Sequence, residues 1–197
     1  MTVNVEDLRE HVAEANRRLA EAGVVSLSFG NASGVDRDRG VMAIKASGVA
    51  CERVQAQDTV VVSLDDGAVV EGTLRPSSDT PTHLVLYRRF DRVGGVVHTH
   101  SPFATAWAQA GREIPPFGTT HADHWSGPVP VTPPLTAEEI AGDYEAETGQ
   151  VIARIFDELG RDPLHLPGIL VASHGPFTWG ADAAEAATNA MALEILA

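Results

Sequence analysis

The chain has 197 residues, 44% hydrophobic and 21% charged, a composition that suits one globular domain with a sizeable core. Its formal net charge of −13 would repel a polyanion and an anionic lipid surface alike, so neither nucleic acid nor membrane is an expected partner. No run nears the eighteen or so apolar residues that span a bilayer, MTVNVEDLRE lacks the regions of a secretion signal, and Cys51 is alone, so a reducing cytoplasmic location is expected.

Val5, Leu8, Val12, Ala15 and Leu19 share one helical face, which predicts an amphipathic helix over residues 5–22, capped by Asn4 and stopped by Gly23. Between Val24 and Val70 the runs VVSLSF, VMAIK and TVVVSL read as close-set strands. Turn signals at Asn31 to Gly34, Asp36 to Gly40 and Asp65-Asp66-Gly67 separate them. From Thr80 the period lengthens: Thr80-Pro81 predicts a helix start, with the helix running to about Asp91. GGVVHTH follows as a short buried strand, and Ser101-Pro102 opens a helix to about Ala110. PVPVTPP is too constrained for a helix and is expected to run extended along a surface. Thr136 with Glu139 forms a capping box for one long helix to about Leu159. GILVAS is a further strand, Gly175-Pro176 a turn, and Asp182 with Glu185 caps a last helix to the end of the chain. Early strands and a later alternation of helix and strand predict one α/β domain whose mixed sheet is covered on both faces. No Gly-x-Gly-x-x-Gly follows the first strand, which argues against a doubly wound nucleotide-binding fold.

His98-Thr99-His100 carries the most chemical information. Side chains two apart on a strand point to one face, so both imidazoles can reach a single ion. His174 sits at another strand end before a tight turn and completes a triad of neutral nitrogen donors, which suits zinc, with manganese or cobalt as substitutes. Asp79 precedes a predicted helix; spacing alone leaves a capping role and a fourth-ligand role both open. Gly30-Asn31, Lys45 with Ser47-Gly48, and Ser77-Ser78 lie in turns whose N–H, hydroxyl, amide and ammonium groups suit a phosphate, although each is also an ordinary turn. Asp123, flanked by His121 and His124, is either a proton-transfer carboxylate or a turn residue. His83 is expected in the core, His11 and His165 on the surface, and Trp107, Trp125 and Trp179 in the core rather than against a substrate.

The segments GNASGVDRDRGVMAIKASGV, RPSSDTPTHLVLYRRF, VVHTHSPFATAWAQAG, GTTHADHW, TAEEIAGDYEAETG and SHGPFTWG, in this order and spacing, resemble the class II sugar-phosphate aldolase and epimerase family, and within it the bacterial epimerases. The resemblance runs from about residue 5 to the end. It implies a three-layer α/β/α domain over residues 1–197 with a largely antiparallel central sheet, assembled as a cyclic homotetramer. It also implies a zinc ion on His98, His100 and His174, with Asp79 as the fourth ligand where the family's aldolases carry a catalytic glutamate. Gly30, Asn31, Lys45, Ser47, Gly48, Ser77 and Ser78 match its phosphate-binding segments and Asp123 its proton donor and acceptor, while Thr119 and Glu145 fall in segments near the site. The implied activity is C4 epimerisation of the phosphorylated ketopentose L-ribulose 5-phosphate to D-xylulose 5-phosphate, by retro-aldol cleavage and re-addition. The alternatives are an aldolase or epimerase for another ketose phosphate, or a non-catalytic domain reusing the fold. The family's second acid/base is a C-terminal tyrosine from a neighbouring subunit. This sequence ends at Ala197 in the last shared helix, and neither Tyr87 nor Tyr144 matches that tyrosine, so the C-terminal extension is expected to be absent.

Overall fold

Along each central strand of the computed structural model, which describes residues 4–197, successive side chains enter two different apolar layers. Ala32, Val41, Ala43, Val61 and Val97 face one layer, together with Leu8, Val12, Ala15 and Leu19 of α1 (Val5–Glu21) and Ala183, Ala186, Ala187 and Ala190 of α7 (Ala183–Leu196). Met42, Ile44, Val60, Val62 and Val96 face the other, against Leu84 and Leu86 of α2 (Thr80–Arg89) and Ile152 and Phe156 of α6 (Tyr144–Leu159). Burying each large aliphatic side chain contributes about 1.5–3 kcal/mol. The result is a three-layer α/β/α sandwich.

The sheet has seven strands: β1 (Asn31–Asp36), β2 (Val41–Lys45), β3 (Thr59–Ser63), β4 (Val69–Glu71), β5 (Gly95–His98), β6 (Gly168–Leu170) and β7 (Pro176–Gly180). Their order is β4-β3-β2-β1-β5-β7-β6, and all six neighbouring pairs are antiparallel. The mixed sheet expected from local patterning is therefore corrected to an antiparallel one. Besides α6, three further helices, α3 (Pro102–Gln109), α4 (Thr119–His124) and α5 (Ala137–Ala141), intervene between β5 and β6, so alternation of helix and strand along the chain does not set strand direction. Among the described residues no helix is long and apolar enough to cross a membrane.

Helix α1 starts where expected, with a reciprocal cap in which Asp7 N donates to Asn4 Oδ1 at 2.8 Å and Asn4 N donates to Asp7 Oδ2 at 3.3 Å. Four other expectations shift. VVSLSF is irregular rather than a strand, and NASG, which reads as a turn, begins β1. The polar residues of β1 are accommodated in the interior because they are hydrogen-bonded there: Ser33 Oγ lies 2.7 Å from both His83 Nδ1 and Tyr87 Oη. The long helix expected from Thr136 to Leu159 breaks at Gly142. α5 keeps the capping box, and Asp143 caps a new helix, accepting from Ala146 N at 3.2 Å. PFTWG and the short edge run Val69–Glu71 are strands that patterning did not single out. PVPVTPP is extended, yet Val129, Pro130 and Thr132 are buried, bridging to Ile114 and Leu170 rather than lying on the surface.

Helix α6 packs against α2 at Gly149, where an added Cβ would stand 2.7 Å from Val85 Cβ and 3.1 Å from the Thr82 carbonyl. Helix propensity alone would make Gly149→Ala stabilising by about 1 kcal/mol. The contact predicts the opposite, a loss of about 1–3 kcal/mol from overpacking. Urea unfolding of the variant checks the sign.

Candidate metal centre and phosphate cradle

His98 is the last residue of β5 and pairs in register with Asn31 on β1 and Phe177 on β7. It is buried, and its ring stacks on Phe177 with centroids 4.2 Å apart. His98 Nδ1 lies 2.9 Å from the Pro176 carbonyl. A carbonyl only accepts, so Nδ1 carries the proton and Nε2 presents a lone pair. Nε2 points to His100, whose own Nε2 is 2.9 Å away. Burial, reinforced by repulsion from His174 and His100, lowers the His98 pKa to about 3, against the opposing pull of Asp79. His98 is thus neutral at physiological pH, as a metal ligand must be.

His174 reaches the same point from the β6–β7 connection. That loop is tight: Val171 N donates to Gly175 O at 2.9 Å and His174 N to Val171 O at 3.0 Å, and Ser173 adopts a left-handed φ of 64°. A non-glycine residue held there stores about 1–3 kcal/mol of strain, of the kind that clusters at functional sites. Burial and the neighbouring His100 lower the His174 pKa, although Asp79 opposes them. One donor atom from each of His98, His100 and His174 lies within 4.8 Å of the others, and His98 Nδ1 is already bound to an outer acceptor. The donor set fits a divalent ion of the zinc type, with an open side toward the cleft.

Asp79 occupies the N-cap position of α2, yet its side chain makes no capping hydrogen bond. The carboxylate turns into the cleft and accepts from Asn31 Nδ2 at 2.6 Å. Burial alone would raise its pKa, but His98, His83, the Asn31 bond and His174 together hold it below the usual carboxylate value. An ionised carboxylate is thus held near His98 and His174, outside the close group of donor atoms that His98, His100 and His174 form. Asn31 Nδ2 also donates to Ser77 Oγ at 3.1 Å, while Asn31 Oδ1 is buried without a protein partner. His83 lies behind the site as a core residue, lowered to about pKa 4 by burial.

The cleft below these ligands is lined by Gly30, Asn31, Lys45, Ser47, Gly48, Ser77, Ser78 and Asp79 together with the three histidines. The end of β2 is clasped to the segment that leads into α2 to form it: Ser47 N donates to Arg75 O and Ser77 N to Lys45 O. Gly30 has a φ of +78°, and a Cβ there would meet Val25 Cγ1 at 2.8 Å and the His98 carbonyl at 3.0 Å, so the chain can pass behind His98 only as glycine. Lys45 is buried and its ammonium donates to the carbonyls of Val49 at 2.7 Å, Ser28 at 3.3 Å and Ala46 at 3.4 Å. Its charge therefore sits under the Ser47-Gly48 turn and shapes it, while the turn itself presents hydroxyl and N–H donors.

Asp123 is not brought to this cleft within one chain: it is exposed on α4, and Thr119 begins the same helix. Glu145 does line the cleft. Three lining residues escaped the reading of the sequence, namely Ser28, Phe29, whose ring stacks at 6.2 Å on His100, and Tyr144, whose hydroxyl is 3.1 Å from His174 Nδ1. Gly142-Asp143 was the available signal for Tyr144, since it starts a helix there. His11 and His165 are exposed, Trp125 and Trp179 buried and Trp107 partly buried, as expected.

Residues 10–197 match the profile of the Class II Aldolase and Adducin N-terminal domain. The chain is 52% identical over 193 residues to the L-ribulose-5-phosphate 4-epimerase UlaF of Salmonella paratyphi B and to that of Salmonella typhi, with 98% of this chain and 83% of each relative covered. Among solved structures, an L-fuculose 1-phosphate aldolase superposes with a TM-score of 0.79 at 24% identity, covering 96% of this chain and 82% of the other, a likeness of fold alone. YgbL from Escherichia coli superposes with a TM-score of 0.75 at 27% identity, covering 97% and 86%. This chain belongs to the class II aldolase and adducin N-terminal domain family.

The buried histidines give a pH prediction for the metal-free protein. The folded pKa of His83, about 4, lies below the unfolded value of 6.5, so the unfolded state binds the extra proton between those limits. Stability is full above about pH 6.5 and falls with acidification, by up to about 1.4 kcal/mol per pH unit for this residue. Denaturant unfolding in chelator at pH 7, 6 and 5 should show this limb, shallower in His83→Gln; parallel limbs would contradict the assignment.

Proposed function

We propose that the chain is a zinc-dependent 4-epimerase converting L-ribulose 5-phosphate to D-xylulose 5-phosphate. The observation that carries this reading is the placement of three convergent imidazoles and the Asp79 carboxylate at the head of a cleft floored by phosphate-type donors. Family membership supports divalent-metal dependence and a phosphorylated sugar as substrate. The names of the 52% identical relatives support the particular reaction. The single cysteine, Cys51, buried and free, suits a reducing cytoplasm.

His98, His100 and His174 would hold the ion with Asp79, and a divalent ion so held supplies Lewis acidity to the substrate's carbonyl and adjacent hydroxyl oxygens. The Ser47-Gly48 turn, Ser77 and Ser78 bind the phosphate, with the Lys45 charge beneath them strengthening each donor. Anchoring there keeps glycolaldehyde phosphate in place after the C3–C4 bond breaks. Turning about its phosphate, that fragment presents the other face of its aldehyde, and re-forming the bond inverts C4.

The proton of the C4 oxygen must leave before cleavage and return after re-addition. Asp123 is the candidate for one face, and since it lies outside its own chain's cleft, it would serve the cleft of a neighbouring copy in the expected homotetramer. Asp123→Asn should keep one metal ion per chain while lowering kcat by about 10²–10⁴. An assay on L-ribulose 5-phosphate that follows D-xylulose 5-phosphate and free glycolaldehyde phosphate separately checks it. Wild-type turnover in the variant would remove Asp123 from the mechanism, and absence of turnover in a metal-loaded wild type would sink the proposed reaction.

A further inference from the structure

Each candidate ligand ring is held by a different kind of neighbour. His98 is fixed by the Pro176 carbonyl and the Phe177 face, and His100 leans on Phe29. The His174 ring has one hydrogen-bond partner among the described residues, the hydroxyl of Tyr144, 3.1 Å from Nδ1, with ring centroids 5.9 Å apart. We propose that Tyr144 is a positioning residue that accepts the Nδ1–H of His174 and so aims its Nε2 at the ion. The proposal rests on the metal reading above and assigns Tyr144 a role apart from that of the family's C-terminal tyrosine.

The local architecture is built to hold the phenol there. Tyr144 is the first residue of α6, placed by the break at Gly142 and by Asp143, which caps the new helix through Ala146 N. Thr82 Oγ1 of α2 donates to the Glu145 carbonyl at 2.6 Å, clamping that first turn to the helix whose N-cap is Asp79. The Tyr144 hydroxyl and the Asp79 carboxylate therefore approach the histidines from the starts of two helices tied together. His174, in contrast, rides on a loop with a left-handed serine and is only partly buried. Its ring needs an outer partner more than the packed His98 does. An acceptor on Nδ1 also raises the basicity of Nε2, the effect that outer partners have on metal-bound imidazoles.

A metal-bound Nε2 leaves Nδ1 protonated, and a phenol oxygen can accept from it. Phenylalanine at position 144 keeps the ring and its packing but removes that acceptor. Tyr144→Phe should bind zinc or cobalt about 10–100-fold more weakly in competition with a chelator, with unchanged far-UV circular dichroism. In the zinc-loaded wild type the His174 Nδ1–H should give a proton resonance protected from solvent exchange, and the variant should lose that protection.

Metal affinity within twofold of wild type, with the same protection, would overturn the role of Tyr144 and leave the metal centre standing. A wild type that binds neither zinc nor cobalt would overturn both readings. Should the variant fail to fold, the wild-type resonance decides alone: a freely exchanging His174 Nδ1–H contradicts the proposal, and a protected one supports it.

Discussion

The cross-strand register that sets Asn31 opposite His98 and His98 opposite Phe177 is the constraint from which the site is built. Three antiparallel strands meet there, and the pleat sends Asn31 and His98 to the same face as Ser33 and Val96, toward α2. A slip of one residue would turn His98 into the apolar layer under α1 and α7 and bring Val97 to the ligand position. The register is pinned by close packing on both faces, including at Gly30, where only glycine lets the chain pass behind the His98 carbonyl.

Electrostatics explain why this arrangement tolerates so many polar groups in a largely buried place. Unscreened imidazoles repel one another as cations, so burial keeps His98 and His174 neutral, with lone pairs available. The histidine neighbours and the hydrogen bond from Asn31 hold the Asp79 carboxyl below its usual value despite its burial. Lys45 places a positive charge under the neighbouring turn, though burial lowers its pKa against the pull of Cys51 and Asp79. A chain of net charge −13 thus places one buried ammonium and a set of N–H and hydroxyl donors where an anion would bind.

How legible these features were depended on how local their causes are. His98 and His100 were readable as a pair two apart at the end of an apolar run, although β5 itself stops at His98, and His174 because another apolar run ends beside it. The dipeptides of the phosphate cradle were individually ordinary turns; only the clasp between residues 45–47 and 75–77 unites them. Spacing could not separate cap from ligand at Asp79, because both roles place it before α2, and the direction of its side chain is set by Asn31 from a distant strand. The start of β1 was misread since Asn, Ser and Gly favour turns locally, whereas buried partners on α2 favour a strand. Tyr144 was missed because an interrupted helix looks continuous when its apolar period survives the break.

The most direct test of the metal centre is the zinc K-edge absorption spectrum of the zinc-loaded protein, with zinc content measured on the same sample. The account predicts one zinc per chain, with three imidazole nitrogens at about 2.0–2.1 Å and oxygen completing the shell. Zinc bound through sulfur, or through fewer than two imidazoles, would contradict it.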